Sequence, residues 1–271
     1  MKNILSTKML PALFLTVIMI LGAYTKSNAV PLSVFNGNGW SKIADEDRVQ
    51  KNGWIGPGNG GQEFDAEYLF YKVEGNKLSI GLQTGFNVMT GLFTDSFGRE
   101  YYSGDLALSF DGDDSAFEYA VDFGLYTEGH LTDSTIGGNV SPGIDTAGVY
   151  QVSAWNTNAE MGYPSEASPF AMESGTYLTG LIDNFSGVGS NAKTSDMFYD
   201  YGGPTSYYRI VSFLTDGLGI NDFTAHWTMS CGNDVIEGSG AAVPEPTTMM
   251  LLGSLATGLF GFAGLRRRFT K

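Results

Sequence analysis

The sequence predicts an all-β body, an antiparallel β-sandwich of the jelly-roll kind. Segments of alternating apolar and polar residues recur through the middle of the chain. Glycine is abundant, with 37 residues in 271, and has no collagen period. Successive side chains of a strand point to opposite faces, so each alternating segment gives one buried face and one wetter face. No part of the body shows a 3.6-residue apolar stripe, so the crossover helices of a parallel α/β fold are missing.

The predicted strands follow the alternation. The clearest pattern is Phe223, Ala225, Trp227, Met229 and Cys231 alternating with polar residues. Six segments share this character or are short and apolar: 78–86, 106–110, 117–125, 149–155, 207–214 and 223–231.

Three local signals complete the prediction for the body. Glu74-Gly75-Asn76 lies between two apolar segments and predicts a β-hairpin. The segment 44–50, ADEDRVQ, is compatible with one exposed helical turn. The region 129–175 is rich in Gly, Ser, Thr and Pro, so we expect long loops around the strand at 149–155.

The N-terminus predicts a secretory signal peptide over residues 1–29. Lys2 and Lys8 form a basic start, MLPALFLTVIMILGAY is the apolar region, and Ser27-Asn28-Ala29 gives a small-x-small cleavage site at Ala29. We therefore expect export through the Sec translocon. The alternative is an N-terminal membrane anchor, against which Pro11 and the small residues near Ala29 argue.

The C-terminus predicts a single membrane-spanning helix. The run Thr247–Leu265 holds no charged residue, and as a helix it would be roughly 28 Å long, close to the hydrocarbon core of a bilayer. Arg266, Arg267 and Arg268 follow at once. Basic residues beside a span tend to stay in the cytoplasm, so the body is expected outside.

The C-terminal segment 243–271 resembles the PEP-CTERM sorting signal of exported bacterial proteins. Pro244-Glu245-Pro246 precedes a glycine-containing apolar helix and the cluster Arg266-Arg267-Arg268. The resemblance implies that exosortase, a membrane transpeptidase-like enzyme, cuts the tail near Pro-Glu-Pro. A plain C-terminal anchor is the alternative. The chain is therefore divided into a signal peptide (1–29), a β-sandwich body (30–242) and a sorting signal (243–271).

The body also resembles exosortase-dependent surface proteins, which carry a β-sandwich without an assigned reaction. The stretches LSIGLQTGF, GDLALSFDGD, YAVDFGLY and FTAHWTMSCGNDVIEG carry this likeness. It implies a destination at the cell envelope, the surface or the extracellular matrix, after initial anchoring in the inner membrane.

Charge excludes nucleic acid as a partner. Residues 30–246 hold eight basic residues against 29 acidic ones, a net charge of −21, and such a body repels nucleic acid and anionic lipid surfaces. The same charge attracts cations. Asp111, Asp113 and Asp114 follow the strand at 106–110 and could bind calcium through carboxylate oxygens, with a solvated turn as the alternative. No other cofactor is predicted.

Other polar residues give weaker signals. Asp65 and Glu67 are two residues apart, and we interpret them as a wet strand face rather than a ligand pair. Cys231 is the only cysteine, so no intrachain disulfide forms, and its place in the alternation predicts a core thiol. His226 is expected on the polar strand face. With only two histidines in the chain, His-dependent hydrolysis has thin support.

Aromatic residues beside turns could contact glycans. Trp54 and Trp155 are the candidates, with burial as loop anchors the alternative. The sequence singles out no catalytic residue. We therefore expect a non-catalytic structural or adhesive sandwich, associated with exopolysaccharide or biofilm. The alternatives are a secreted carbohydrate-binding module and a glycan hydrolase or lyase, which would need two carboxyls about 5 to 10 Å apart in a cleft.

Overall fold

A computed structural model of the protein describes residues 31–45, 61–111, 116–126, 144–156, 168–190 and 205–241. These ranges contain strands and two short 3-10 turns, at Ser33–Phe35 and Gln62–Phe64, and no α-helix. The strands are Ser41–Asp45 (β1), Ala66–Glu74 (β2), Lys77–Thr84 (β3), Leu92–Thr94 (β4), Glu100–Tyr102 (β5), Leu106–Ser109 (β6), Tyr119–Asp122 (β7), Gly148–Asn156 (β8), Ala171–Thr179 (β9), Asp183–Ser190 (β10), Thr205–Leu214 (β11), Asp222–Thr228 (β12) and Val235–Ala241 (β13).

The strands form two large antiparallel sheets and one small one. The first sheet has the order β1-β2-β3-β11-β10, and the second has the order β13-β12-β6-β7-β8-β9. Strands β4 and β5 form a separate two-stranded hairpin. All pairings are antiparallel. The all-β class predicted from the alternation is confirmed for the described part of the chain.

The two large sheets enclose a common core. The apolar faces of the strands meet in one cluster that includes Leu78 and Ile80 of β3, Leu108 of β6 and Trp227 of β12. Trp227 is fully buried, and its indole N–H donates to the Gly104 carbonyl oxygen at 3.1 Å. This arrangement explains the alternation, because each sheet presents every second side chain to the other sheet.

The finer jelly-roll connectivity stays a prediction. In the described sheets, long connections bring β11 beside β3 and β12 beside β6, while the other neighbouring strands are consecutive in the chain. The β2–β3 hairpin turns at Gly75 and Asn76, as predicted, with Gly75 at φ 64°.

A short N-terminal segment, residues 31–40, covers the outer face of the first sheet. Phe35 stacks on Phe70 with ring centroids 4.2 Å apart. The Leu32 N–H donates to the Gln83 side-chain oxygen at 2.8 Å. Near β2 and β3, the first sheet is therefore covered on both faces, by the core on one face and by this segment on the other.

Several strand boundaries differ from the prediction. The predicted strand 117–125 is Tyr119–Asp122, and the strand predicted to reach Cys231 ends at Thr228. The exposed helical turn predicted at 44–50 is wrong at its start, because Ala44 and Asp45 belong to β1; its remaining residues lie outside the described ranges. Strand β9 begins within the predicted loop region, and β10 follows it; neither was predicted.

The two predicted ends of the chain lie outside the described residues, namely the signal peptide and the sorting signal with its apolar helix. In the part that the structure describes, no helix has the length and apolar character needed to cross a membrane.

Candidate functional site

A cleft of about 630 Å³ lies at the β4–β5 hairpin. The lining comes from three parts of the chain: the hairpin, the 3-10 turn before β2 and the turn after β12. Its lining combines aromatic, charged and amide side chains: Glu63, Phe64, Phe93, Asp95, Ser96, Phe97, Arg99, Tyr101, Cys231 and Asn233.

Asp95 organises the hairpin loop from within. One carboxylate oxygen accepts the backbone N–H groups of Phe97 and Arg99 at 2.8 and 2.9 Å. The other accepts the Arg99 guanidinium at 2.6 Å and the Tyr101 hydroxyl at 3.3 Å. Gly98 closes the turn at φ 79°, a left-handed conformation that favours glycine. The Asp95 side chain therefore fixes the conformation of the loop 95–99 through these hydrogen bonds.

The carboxylate of Asp95 is held in its ionised form. Burial raises the pKa of Asp95, but hydrogen bonds from the Arg99 and Phe97 backbone and from the Arg99 guanidinium outweigh burial, so the pKa falls below its usual value. A general acid in glycoside hydrolysis needs the opposite shift. Asp95 is therefore suited to positioning rather than to proton donation.

Aromatic rings form the inner part of the cleft. Phe64 packs edge-on against Phe93 at 5.2 Å and against Tyr101 at 5.0 Å, and Phe64 and Tyr101 are themselves buried. Edge-to-face packing fixes the rings relative to each other. The floor is therefore apolar and preorganised.

The rim carries an exposed aromatic residue beside a cation. Phe97 is 83% exposed, the most exposed of the large apolar residues in the described part. The Arg99 guanidinium lies over the Phe97 ring at 5.4 Å and over the Tyr101 ring at 6.0 Å. The exposed Phe97 ring with its neighbouring guanidinium, in a cleft that Asp95 and Asn233 also line, offers an aromatic surface with polar groups in the same cleft, which suits a sugar ring.

The residues predicted for calcium are only partly described. Asp111 is exposed after β6 and accepts the Ser109 hydroxyl at 2.8 Å, while Asp113 and Asp114 lie outside the described ranges. Among the described residues, no group of three or more His, Cys, Asp or Glu side chains is placed to hold a metal ion.

Of the two predicted glycan residues, Trp155 does not line the cleft. Trp155 is half-buried in β8, and its indole N–H donates to the Phe117 carbonyl oxygen at 2.7 Å. Trp54 lies outside the described ranges, as do Ala29, Pro244, Glu245, Pro246 and the arginines Arg266, Arg267 and Arg268.

The wet-face interpretation of Asp65 and Glu67 is wrong, because both side chains are 1% exposed. A register shift in β2 between Ala66 and Tyr68 interrupts the alternation. Glu67 accepts hydrogen bonds from Gln62 at 2.9 Å, and from Gln83 and the Ser206 hydroxyl at 2.6 Å each. The N-terminal segment lies over this polar cluster through Leu32.

His226 lies on the strand face of Thr224 and Thr228, as expected, because Phe223, Ala225 and Trp227 belong to the core on the other face. That polar face is itself covered, and the His226 side chain is buried. Its Nδ1 lies 3.2 Å from a Glu237 carboxylate oxygen, and its Nε2 lies 3.1 Å from the Pro169 carbonyl oxygen. Phe117 packs against the imidazole ring with centroids 5.2 Å apart. The burial predicted for Cys231 is confirmed.

Two buried aspartates face each other in the second sheet. Leu106 pairs with Val121, so Asp105 and Asp122 occupy the next opposing positions. Asp105 accepts the Met172 N–H at 2.8 Å. Burial, with the Asp122 charge as the next cause, raises the pKa of Asp105 well above its usual value.

Asp122 accepts the Gly124 N–H at 2.6 Å and the Thr146 N–H at 3.1 Å. Burial raises the pKa of Asp122 to about 7, with a further contribution from Asp145. Like charges opposite each other on neighbouring strands are destabilising. The pair therefore holds a proton near neutral pH.

Sequence reasoning missed the aromatic cleft. One local feature of the sequence could have indicated the cleft. Phe97 is a bulky apolar residue in the turn sequence Asp-Ser-Phe-Gly-Arg, where turns favour small polar residues. No signal links this turn to Asn233, which lies more than a hundred residues further along the chain.

Comparison with known protein families finds no matching family model, and comparisons with curated proteins and with solved structures find no match either.

Proposed function

We propose that this chain is an exported surface or extracellular-matrix protein whose tail is processed by exosortase and whose β-sandwich body has a non-catalytic, structural or adhesive role. The observation that carries the proposal is the order of parts at the C-terminus: Pro244-Glu245-Pro246, an uncharged run of nineteen residues, then Arg266-Arg267-Arg268. The signal peptide with its cleavage site at Ala29 supports export independently.

Processing at the predicted sites is compatible with the described strands. The first of these, β1, begins at Ser41, after Ala29, and the last, β13, lies before the Pro-Glu-Pro motif. Cleavage at either place would leave all the described strands intact. Two removable terminal segments around one folded body are what a protein sorted in this way requires.

Mass spectrometry of the protein from its native cell tests the proposal. We expect a mature N-terminus at Val30 and no peptide covering Arg266–Lys271. An intact basic tail on the mature protein would contradict exosortase processing. A reporter fused at residue 240 that proves to be cytosolic would contradict export itself.

A second candidate function is carbohydrate binding through the β4–β5 cleft, and the exposed ring of Phe97 favours it. Exopolysaccharide is the glycan that the proposed destination would supply. Aromatic faces contribute to sugar binding through apolar contact, while neighbouring polar groups orient the sugar hydroxyls. Asp95, Arg99 and Asn233 provide those polar groups.

Affinity electrophoresis in gels containing exopolysaccharide from the same cells tests this function. Phe97→Ala removes the stacking ring and should weaken retardation about tenfold or more. Tyr177→Ala is the matched control, because Tyr177 is a half-exposed aromatic residue on β9, outside the cleft. Equal retardation of both variants and the parent protein would remove the cleft as a glycan site.

A further inference from the structure

The two large sheets have four edge strands, and two of these protect each other. Strands β1 and β13 approach so closely that a Cβ atom added at Gly238 would lie 2.5 Å from the Ile43 carbonyl oxygen. The register of β1 also shifts between Lys42 and Ala44. Irregular, charged and covered edges are the usual defences against pairing with another chain.

The third edge strand, β9, is protected by its irregular pairing. Its ladder with β8 contains three register shifts between Val149 and Trp155. It also exposes Glu173 at its outer side. Bulges twist an edge away from a partner strand, so β9 is a poor template.

The fourth edge strand, β10, lacks these defences. It pairs with β11 over eight consecutive residues, Asp183–Ser190, without a shift, and with no other strand in the described part of the chain. Its one charged residue, Asp183, lies 3.5 Å from the Lys77 ammonium. A regular and otherwise uncharged edge presents a row of backbone donors and acceptors to another strand.

Strand β10 is also held firmly in place. The Asn184 side chain accepts a hydrogen bond from the buried Arg209 guanidinium at 2.6 Å and donates to the Phe123 carbonyl oxygen at 2.8 Å. The edge is therefore presented in a fixed position, which lowers the entropic cost of pairing with it.

Apolar side chains line this edge on both faces. Ile182, Phe185 and Val188 are 51%, 47% and 56% exposed. Phe185 lies opposite Ile210 of the outer-face cluster, whereas Val188 lies opposite Tyr207, which packs against the main core. A partner strand would cover apolar surface on both faces at once.

We propose that β10 pairs antiparallel with β10 of a second copy of this chain, about a two-fold axis at Phe185. This register places Phe185 opposite Phe185 of the other copy, and Ile182 opposite its Val188. A shift by two residues would place Phe185 opposite Gly187 instead. Only the first register brings all three exposed apolar residues into cross-strand pairs, which are the units of sheet stabilisation.

Charge favours contact at this edge over contact elsewhere. The body carries a net charge of −21, so two copies repel each other through most of their surfaces. From Asn184 to Ser190 the strand carries no charge. Because one strand pair is a small interface, we expect a dissociation constant on the order of 10 µM to 1 mM.

Disulfide trapping tests the register, using the chain as the cell exports it, in detergent if its tail is retained. Directly opposed residues of an antiparallel pair have Cα atoms about 4.5 to 5.5 Å apart, within the range of a disulfide. Under mild oxidation, Phe185→Cys should give a covalent dimer. Phe97→Cys, at a more exposed position away from the edge, should stay monomeric, and Cys231 is buried.

Charge substitution with rescue tests the same pairing without a covalent bond. Val188→Lys places a cation opposite the partner's Ile182 and should abolish the dimer in sedimentation velocity at the highest protein concentration. Adding Ile182→Glu creates two opposite-charge pairs across the axis and should restore it. Both positions are half-exposed, so the fold should tolerate the changes.

Two outcomes would overturn the proposal. One is a dimer that forms equally with Val188→Lys. The other is a monomer at every concentration whose β10 amides are nevertheless protected from hydrogen exchange, which would mean that another part of the same chain covers the edge. Either result leaves tail processing and glycan retardation by the Phe97 cleft unaffected, so the proposed function is tested separately.

Discussion

Both large sheets bury carboxylates, but the hydrogen-bond partners of these carboxylates differ between the two sheets. In the first sheet, Glu67 receives hydrogen bonds from three side chains. In the second sheet, Asp105 and Asp122 stand opposite each other and, within the described ranges, accept hydrogen bonds from backbone N–H groups only. All three residues are at most 3% exposed.

The difference shows that burial alone does not set the behaviour of a carboxylate. Hydrogen-bond donors aimed at a carboxylate favour the charged form, whereas a neighbouring carboxylate favours protonation. Glu67 has three side-chain donors. Burial is the main cause of the raised pKa of Asp105 and of Asp122, and a neighbouring carboxylate (Asp122 and Asp145, respectively) raises each pKa further. We therefore expect Glu67 to contribute to the stability of the fold and the pair to weaken the fold near neutral pH.

The largest effect is expected when Glu67 is removed. Glu67→Ala leaves buried donors on Gln62, Gln83 and Ser206 without this acceptor and should lower the free energy of unfolding by about 4 kcal/mol. Urea denaturation measures the change. A loss below about 1 kcal/mol would mean that the cluster is not a stabilising network.

The next effect concerns the N-terminal segment that lies over the Glu67 cluster. Phe35→Ala removes a buried ring and should lower the free energy of unfolding by about 3 kcal/mol. Hydrogen exchange at β2 and β3 should rise together with the loss of stability. If the β6 and β7 amides lost protection equally, the segment would serve the whole sandwich rather than the first sheet.

A smaller and pH-dependent effect is expected for the aspartate pair. The folded-state pKa values of Asp105 and Asp122 are raised, so the stability that they contribute is fully present below about pH 4. It is lost as the pH rises through the value of about 7 for Asp122. The contribution of this pair to the free energy of unfolding should therefore decrease as the pH rises from about 4 to about 7.

Asp105→Asn removes one charge and should raise stability at pH 8 by about 1 to 2 kcal/mol, with little gain at pH 4. Denaturation curves at both pH values measure this difference. Asp222→Asn, at an exposed position, is the matched control. An equal gain for both variants would reflect lower net charge rather than the pair.

The smallest effect is expected at the exposed carboxylate of Glu74. Hydrogen bonds from Lys72 and Lys77 lower its pKa, but exposed ion pairs contribute little to stability. Glu74→Gln should leave the thermal midpoint almost unchanged at pH 7. A large drop would show that surface charge matters more here than buried charge.

The fold class could be predicted because long strands alternate with period two. Lys77–Thr84 and Asp222–Thr228 were found for this reason. Strand β10 was missed because Gly187 and Gly189 interrupt its alternation, so that neither face carries a continuous apolar row. The strand connectivity could not be predicted, since it depends on pairings between distant segments.

The interpretation of individual sites failed where distant segments supply the cover. From the local sequence alone, Glu67 and His226 are expected to be solvent-exposed. In the structure the N-terminal segment covers the cluster around Glu67, and Pro169 and Phe117 contact His226. Phe97 and Asn233 line one cleft although more than a hundred residues separate them in the sequence. Local patterns hold no information about such contacts.

The pairing of β3 with β11 has a kinetic consequence. Lys77 lies opposite Leu214, so the middle of the first sheet joins residues more than a hundred positions apart. Chains dominated by such distant pairings fold slowly. We expect nascent chains to remain loosely structured until most of the polypeptide has been synthesised, a delay that would suit passage through a translocation channel that admits only unfolded protein.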